Sequence, residues 1–179
     1  MLTNRIQNPF LRGVVEWSLT LLLAVVLFFV LRTFIFRTAT VTGISMEPTI
    51  SHGDMLIINR LSYQFTAPRA GDIVAFPYRG NPSEIYIKRV IGVPGDIIEL
   101  VGGWFWVNGV PLYDLMDEYV IAAGDVAFPV IVEDGHFFVL GDNRNRSRDS
   151  RFQSVGNVPQ GDMIGRTLVR VWPNFGRVQ

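Results

Sequence analysis

Two hydrophobic patterns divide the chain. From Val14 to Phe36 the residues are almost continuously apolar, most densely between Trp17 and Leu31, whereas from Thr38 onward short apolar runs alternate with polar positions and are punctuated by Gly, Pro, Asn and Asp. The first pattern predicts a helix. These residues would rise about 34 Å against a bilayer core of roughly 30 Å, enough to span it, with Glu16 and Arg32 near the two interfaces. Residues 1–13 form a short polar lead that holds Arg5, Arg12 and Asn8-Pro9, a pair that reads as unfriendly to a helix. A cleaved secretory signal is the competing interpretation, but Arg37-Thr38-Ala39-Thr40 is a poor small-x-small cleavage site, so a retained transmembrane anchor over 14–36 is expected. Arg5 and Arg12 on one side balance Arg32 and Arg37 on the other, and charge alone does not orient it.

The second pattern predicts a mainly β domain over 38–179. Candidate strands are Met55–Asn59, Asp72–Phe76, Ile85–Ile91, Ile97–Val101, Trp104–Val107, His136–Leu140 and Ile164–Trp172. Gly102-Gly103 and Asn108-Gly109 supply the positive φ of tight hairpins, and Pro94-Gly95-Asp96 marks another reversal. Residues 111–134, with two prolines and scattered acids, look like an excursion from the domain. Trp104, Phe105 and Trp106 are candidates for a membrane interface, although at least two of them are expected in the β core.

Composition narrows the chemistry. A formal net charge of zero over 179 residues gives no general pull toward nucleic acid, and the absence of cysteine excludes thiol catalysis, disulfides and thiolate metal sites. His52 and His136 stand far apart without a second ligand type at a familiar spacing, so both are expected to be ordinary loop residues and no metal is implied. The basic residues carry a sharper signal: 15 are arginine and one, Lys88, is lysine. Lys88 lies inside the apolar run Tyr86-Ile87-Lys88-Arg89-Val90-Ile91. Unlike arginine, a buried lysine can lose its proton and act as a base. Strand alternation would put Lys88 on one face with Tyr86 and Val90, and Ile87, Arg89 and Ile91 on the other. The alternative is an edge-strand lysine that blocks aggregation.

Two further stretches carry candidate chemistry. Gly43-Ile44-Ser45-Met46-Glu47-Pro48-Thr49 follows the anchor and offers Ser45 as a nucleophile, which needs a positioned base; Gly43 permits close backbone approach there. A serine in a Gly/Pro-bounded turn is also ordinary turn chemistry. Gly141–Arg151 crowds four arginines, two aspartates and two serines after the apolar run Phe137–Leu140. Such a loop could deliver a hydroxyl and two ion pairs to a site at the edge of a sheet; it also reads as a solvated loop with exposed ion pairs, or as a patch for phosphate or anionic lipid.

In this order the stretches resemble the bacterial type I signal peptidases, membrane-anchored Ser/Lys proteases that remove signal peptides from exported proteins. Ser45–Thr49 is similar to the family's nucleophile box, Gly71–Phe76 to its next box, Tyr86–Asp96 to its lysine box and Gly141–Arg151 to its Gly-Asp-Asn-Arg box. The resemblance implies a β-sheet catalytic domain of the signal peptidase type, Ser45 as nucleophile and Lys88 as general base. It implies that Ser147 orients the lysine amine, that Asp142 pairs with Arg89 and Asp149 with Arg151, and that the Ser45 N–H holds the oxyanion. Val41, Gly43, Ile44, Tyr86 and Ile87 would line a cleft for an extended substrate, with two shallow pockets selecting small residues, typically Ala-x-Ala.

The sequence departs from the family pattern at two places. Gly43 stands where some members have a serine that helps hold the oxyanion, and Asn145-Arg146-Ser147 replaces the commoner Asp-Asn-Ser, adding a positive charge. Lysine has a reference pKa of ~10.4, so Lys88 needs desolvation to serve as a base at neutral pH, and the neighbouring Arg89 is expected to push the same way. The implied partners are signal peptides of exported preproteins and the lipid bilayer, with no cofactor, metal or nucleic acid. The implied location is the cytoplasmic membrane, single-pass, with the catalytic domain on its outer side. A dedicated Ser/Lys maturation peptidase and a non-catalytic anchored β module remain the alternatives.

Overall fold

The structure is a computed structural model that describes residues 8–112 and 119–178. Residues 1–7 of the polar lead, with Arg5, the side chain of Arg32 and residues 113–118 of the expected excursion lie outside the described residues. The chain divides into two compact units between Arg37 and Thr38.

The first unit is built on α1 (Pro9–Phe34). Its start corrects the view of Asn8-Pro9 as an interruption. The Asn8 side-chain oxygen accepts the Phe10 N–H at 3.0 Å, which makes Asn8 the cap, and proline is well tolerated at the first helical position because its missing N–H would be unpaired there anyway. Arg12 and Glu16, one turn apart, pair at 2.9 Å. The segment Pro9–Val30 has a mean hydropathy of 2.3 and is long and apolar enough to cross a membrane. The helix therefore begins before Val14, and by Phe36 the backbone is already extended.

The strands lie in the second unit, apart from Phe36 and Arg37, where the first of them begins. The larger sheet comprises β1 (Phe36–Thr40), β2 (Met55–Asn59), β3 (Ile73–Tyr78), β4 (Asn81–Gly92), β9 (His136–Leu140), β10 (Val158–Pro159), β11 (Gly165–Trp172) and β12 (Gly176–Arg177). Its order is β1-β2-β11-β3-β4-β9-β10, with β12 beside β11. The smaller sheet has the order β7-β6-β5-β8 and comprises β5 (Ile97–Val101), β6 (Trp104–Val107), β7 (Val110–Pro111) and β8 (Val130–Ile131). Four candidate strands have the expected limits. The lysine strand is longer than its apolar run because it continues through Asn81-Pro82-Ser83-Glu84 in a hairpin with β3. The two-residue strands β7, β8, β10 and β12 are too short to show a period.

Alternation sorts the core. On β3, Val74 and Phe76 join Val90, Phe137 and Val139 in one cluster, while Ile73 and Ala75 join Leu56, Ile58, Met46, Ile50 and Ile87 in another. Val90 and Ile87 thus lie on opposite faces of β4. A third cluster joins the smaller sheet to the larger one through Ile91, Phe138 and Leu140 against Ile98, Phe105 and Val132. The β5–β6 and β6–β7 hairpins turn on Gly102-Gly103 and Asn108-Gly109, all four at positive φ. Of the three aromatics on β6, only Phe105 is fully buried; Trp104 is exposed and meets Tyr119 edge-on.

Phe138 is fully buried, with the rings of Phe105 and Phe128 at 6.5 and 6.3 Å. Phe138→Ala is expected to cost about 3–5 kcal/mol, measured as a lower urea midpoint at unchanged slope.

Candidate active site

β4 carries Lys88 into the interior. Its backbone pairs with Val74 of β3, and the residue is only 3% exposed. Lys88 Nζ lies 2.7 Å from Ser45 Oγ, donates to the Ile87 carbonyl at 2.9 Å and sits 5.2 Å from the Tyr86 ring centre. Two residues 43 positions apart are thereby in hydrogen-bond contact. As an ammonium, Lys88 donates to the serine hydroxyl; as a neutral amine it can accept the hydroxyl proton.

Ser45 occupies a turn held at both ends. Met46 and Ile50 are buried in the core shared with β2 and β3, and the Ile50 N–H donates to the Met46 carbonyl at 2.8 Å. On the other side, the Gly43 N–H donates to His52 Nδ1 at 3.2 Å. Gly43 has φ +119° with open space where a Cβ would stand, so conformation rather than close approach explains the glycine. The loop after β9 meets the turn: the Asn143 N–H donates to the Ser45 carbonyl and its Nδ2 to the Ile44 carbonyl, both at 3.1 Å. Those bonds occupy the carbonyls of the turn. The Ser45 N–H itself has no acceptor among the described residues.

Buried ion pairs fix that loop. Arg89 and Asp142 make a two-pronged pair at 2.8 Å on each arm, and Arg89 also donates to the Gly71 carbonyl at 3.1 Å. Arg151, 1% exposed, donates to Asp149 at 2.7 and 2.9 Å and to the carbonyls of Ala122, Arg144 and Ser147. Asp149 accepts in addition the Gly141 N–H at 3.1 Å. Buried charges persist when further partners satisfy their hydrogen-bonding capacity, and here backbone groups of the loop, with the Gly71 and Ala122 carbonyls, contribute them.

Burial lowers the Lys88 pKa from its ordinary value to about 8. Asp149 and Asp142 pull it back up, while Arg151 pushes it down. This corrects the expectation for Arg89, whose guanidinium is engaged by Asp142; the assisting cation is Arg151. The opposing carboxylates are each held in an arginine pair, which limits how far they favour the ammonium.

A cleft of about 360 Å³ opens beside the pair and is lined by residues 39–46 and 85–88 with Arg146 and Arg148. It therefore gathers Val41, Gly43, Ile44, Ser45, Tyr86, Ile87 and Lys88. Ser147 is placed differently from expectation. Its Oγ is buried without a hydrogen-bond partner, and the second bond of Lys88 goes to the Ile87 carbonyl instead. The Ser147 side chain fills the space beside Gly141: a Cβ on Gly141 would collide with Ser147 Oγ and the Ser45 carbonyl. Sequence reasoning passed over Asn143 and the supporting His52. Asn143 sits in the recognised box, but its contact with Ile44 spans 99 positions and leaves no local signal.

Comparison with known proteins places these features in context. A family model described as signal peptidase, peptidase S26, matches residues 14–172. The signal peptidase I of Leptolyngbya laminosa is 40% identical over 174 residues, covering 93% of this chain and 81% of the relative. A probable signal peptidase I-2 of Synechocystis sp. is 39% identical over 169 residues, with 88% and 73% covered. Signal peptidase IB of Staphylococcus aureus is 32% identical over 178 residues, with 90% and 91% covered. A crystal structure of a signal peptidase I from Enterococcus faecalis, 32% identical, matches 56% of this chain and 97% of its own with a TM-score of 0.45.

Two measurements follow from the site. Lys88 is the sole lysine, so side-chain nitrogen NMR with nitrogen-labelled lysine reads it without overlap, and it is expected to titrate near 8. Because its folded pKa lies below the unfolded value of ~10.4, protonation disfavours the fold; the penalty is complete below about 8 and is relieved as pH rises toward 10.4. Asp142→Ala strips Arg89 of its buried partner and is expected to cost about 3–5 kcal/mol in denaturant titrations.

Proposed function

The chain belongs to the signal peptidase family, peptidase S26, and from that premise we propose that it is a membrane-anchored serine endopeptidase using Ser45 and Lys88 to cut signal peptides after a small-x-small motif. The observation that carries the mechanism is the 2.7 Å approach of Lys88 Nζ to Ser45 Oγ in a site where burial favours the neutral amine. Neutral Lys88 takes the hydroxyl proton as Ser45 Oγ attacks the scissile carbonyl. The resulting oxyanion is stabilised by the unoccupied Ser45 N–H. The Lys88 ammonium then protonates the departing amine, leaving a Ser45 acyl-enzyme, and the neutral lysine activates the water that releases the signal peptide. The family resemblance assigns Ser147 the role of orienting the amine, and its buried Oγ, without a hydrogen-bond partner among the described residues, is free to take it.

The substrate course follows from strand geometry. β9 pairs with β4 only from Arg89 to Gly92, so among the described residues the edge at Tyr86 and Ile87 carries no strand on that side. An extended peptide adding to this edge, with residues 41–44 as the opposite wall, presents every second side chain to the same surface. Val41 and Ile87 are almost fully buried and make a shallow floor, which favours small residues there. α1 is proposed to hold the enzyme in the cytoplasmic membrane with the β domain on the outer side.

In detergent, the full-length protein is expected to cut a preprotein bearing an Ala-x-Ala signal after the second alanine. Ser45→Ala and Lys88→Arg should each reduce the rate by at least about 10³-fold while the variants stay folded; cleavage that survives Lys88→Arg would remove lysine from the role of base. The kcat/KM profile should rise with pH through about 8, and the limb in kcat should lie lower because bound substrate desolvates Lys88 further. Gly141→Ala should lower kcat roughly 10²-fold, since its methyl group displaces the Ser45 carbonyl and Ser147.

A further inference from the structure

Four arginines crowd the loop after β9, and three of them are committed to the protein. Arg151 is bound by Asp149. Arg144 is buried, donates to the Gly141 carbonyl at 3.1 Å and lies over the Phe105 ring. Arg148 lies close to the Tyr78 hydroxyl and 5.8 Å from the Phe152 ring centre. Arg146 differs. Its side chain is exposed, lines the cleft and has no hydrogen bond or ion pair among the described residues.

The cleft around Arg146 contains no carboxylate. Its lining includes three basic residues, Lys88, Arg146 and Arg148, and no aspartate or glutamate. Lys88 is engaged by Ser45 and the Ile87 carbonyl and Arg148 lies against Tyr78 and Phe152, so among the described residues Arg146 is the lining cation whose side chain has no partner. A guanidinium with its fork of donors unoccupied is matched by a carboxylate in geometry and charge, and it repels a second cation.

We infer that Arg146 is a specificity-determining residue that favours an acidic side chain, and disfavours a basic one, at a substrate position flanking the scissile bond. This rests on the peptidase role proposed above. The contact is to a side chain of the substrate rather than to the reacting atoms, so it tunes which preproteins are cut fastest and leaves the Ser45/Lys88 chemistry the same. Being partly solvated, it is sensitive to salt.

The test uses the full-length protein in detergent and a preprotein with an Ala-x-Ala site. Single Asp or Lys replacements are placed in turn at each position from three before to three after the cut, leaving the two alanines intact. At one position the wild type is expected to show kcat/KM about three- to tenfold higher for Asp than for Lys, the combined effect of one attraction and one repulsion at a solvated site. Added salt should shrink this ratio. Arg146→Asn should abolish it, Arg146→Glu should invert it and Arg146→Lys should keep its direction. A ratio near one at every position in the wild type overturns the inference, as does a ratio that persists unchanged in Arg146→Asn and Arg146→Glu. If the wild type cuts none of the substrates, including the unsubstituted parent, the peptidase proposal itself fails and takes this inference with it.

Discussion

One desolvated amine dictates most of the surrounding architecture. For Lys88 to meet Ser45 as a neutral group it must be kept from water, and desolvation is the largest influence on its pKa. A surface strand does not provide that. β4 therefore runs through the middle of the larger sheet, between β3 and β9, and the turn bearing Ser45 is pinned over the lysine by Met46 and Ile50 in the core.

The same requirement explains the ionic frame. The aspartates nearest the amine would favour its charged form, and each is held in a buried arginine pair. Those pairs are not chiefly a source of stability, since desolvation cancels much of the attraction between buried charges. Their effect is to hold the Gly141–Arg151 loop in one conformation. Asp142 ties its start to β4, and Arg151 gathers two of its carbonyls, those of Arg144 and Ser147, at its end. Asn143, between them, reaches the Ser45 turn. Fold rigidity and catalytic geometry thus share the same few side chains.

Much of this was legible in the sequence, because the signals were local or came in ordered boxes. The apolar run announced α1, alternation announced β2, β5, β6 and β9, and a lone lysine among β-branched residues singled out Lys88, which is buried against Ser45. What escaped notice depended on contacts remote in sequence or on positions with two meanings. Asn8-Pro9 breaks a helix in its middle but starts one at its end, and only the cap bond to Phe10 distinguishes these. The inner orientation of Arg144 and the outer one of Arg146 follow from a single 3₁₀ turn, Arg144–Arg146, that composition cannot resolve. Arg89 seemed the natural electrostatic neighbour of Lys88, yet adjacent residues on a strand point to opposite faces, and Arg151 is the cation that acts on the amine.

The unpaired edge of β4 has a further consequence. An exposed strand edge is a template for any extended chain, and most proteins blunt such edges against aggregation. Here the blunting is partial and graded along a single strand. Asn81, Pro82, Ser83 and Glu84 are exposed, polar or unable to donate, whereas Tyr86 and Ile87 keep an open ladder only a few residues long. A guest strand can dock there but cannot zip onward. On the proposed substrate course, the enzyme would thereby turn an aggregation hazard into a ruler for a short extended segment.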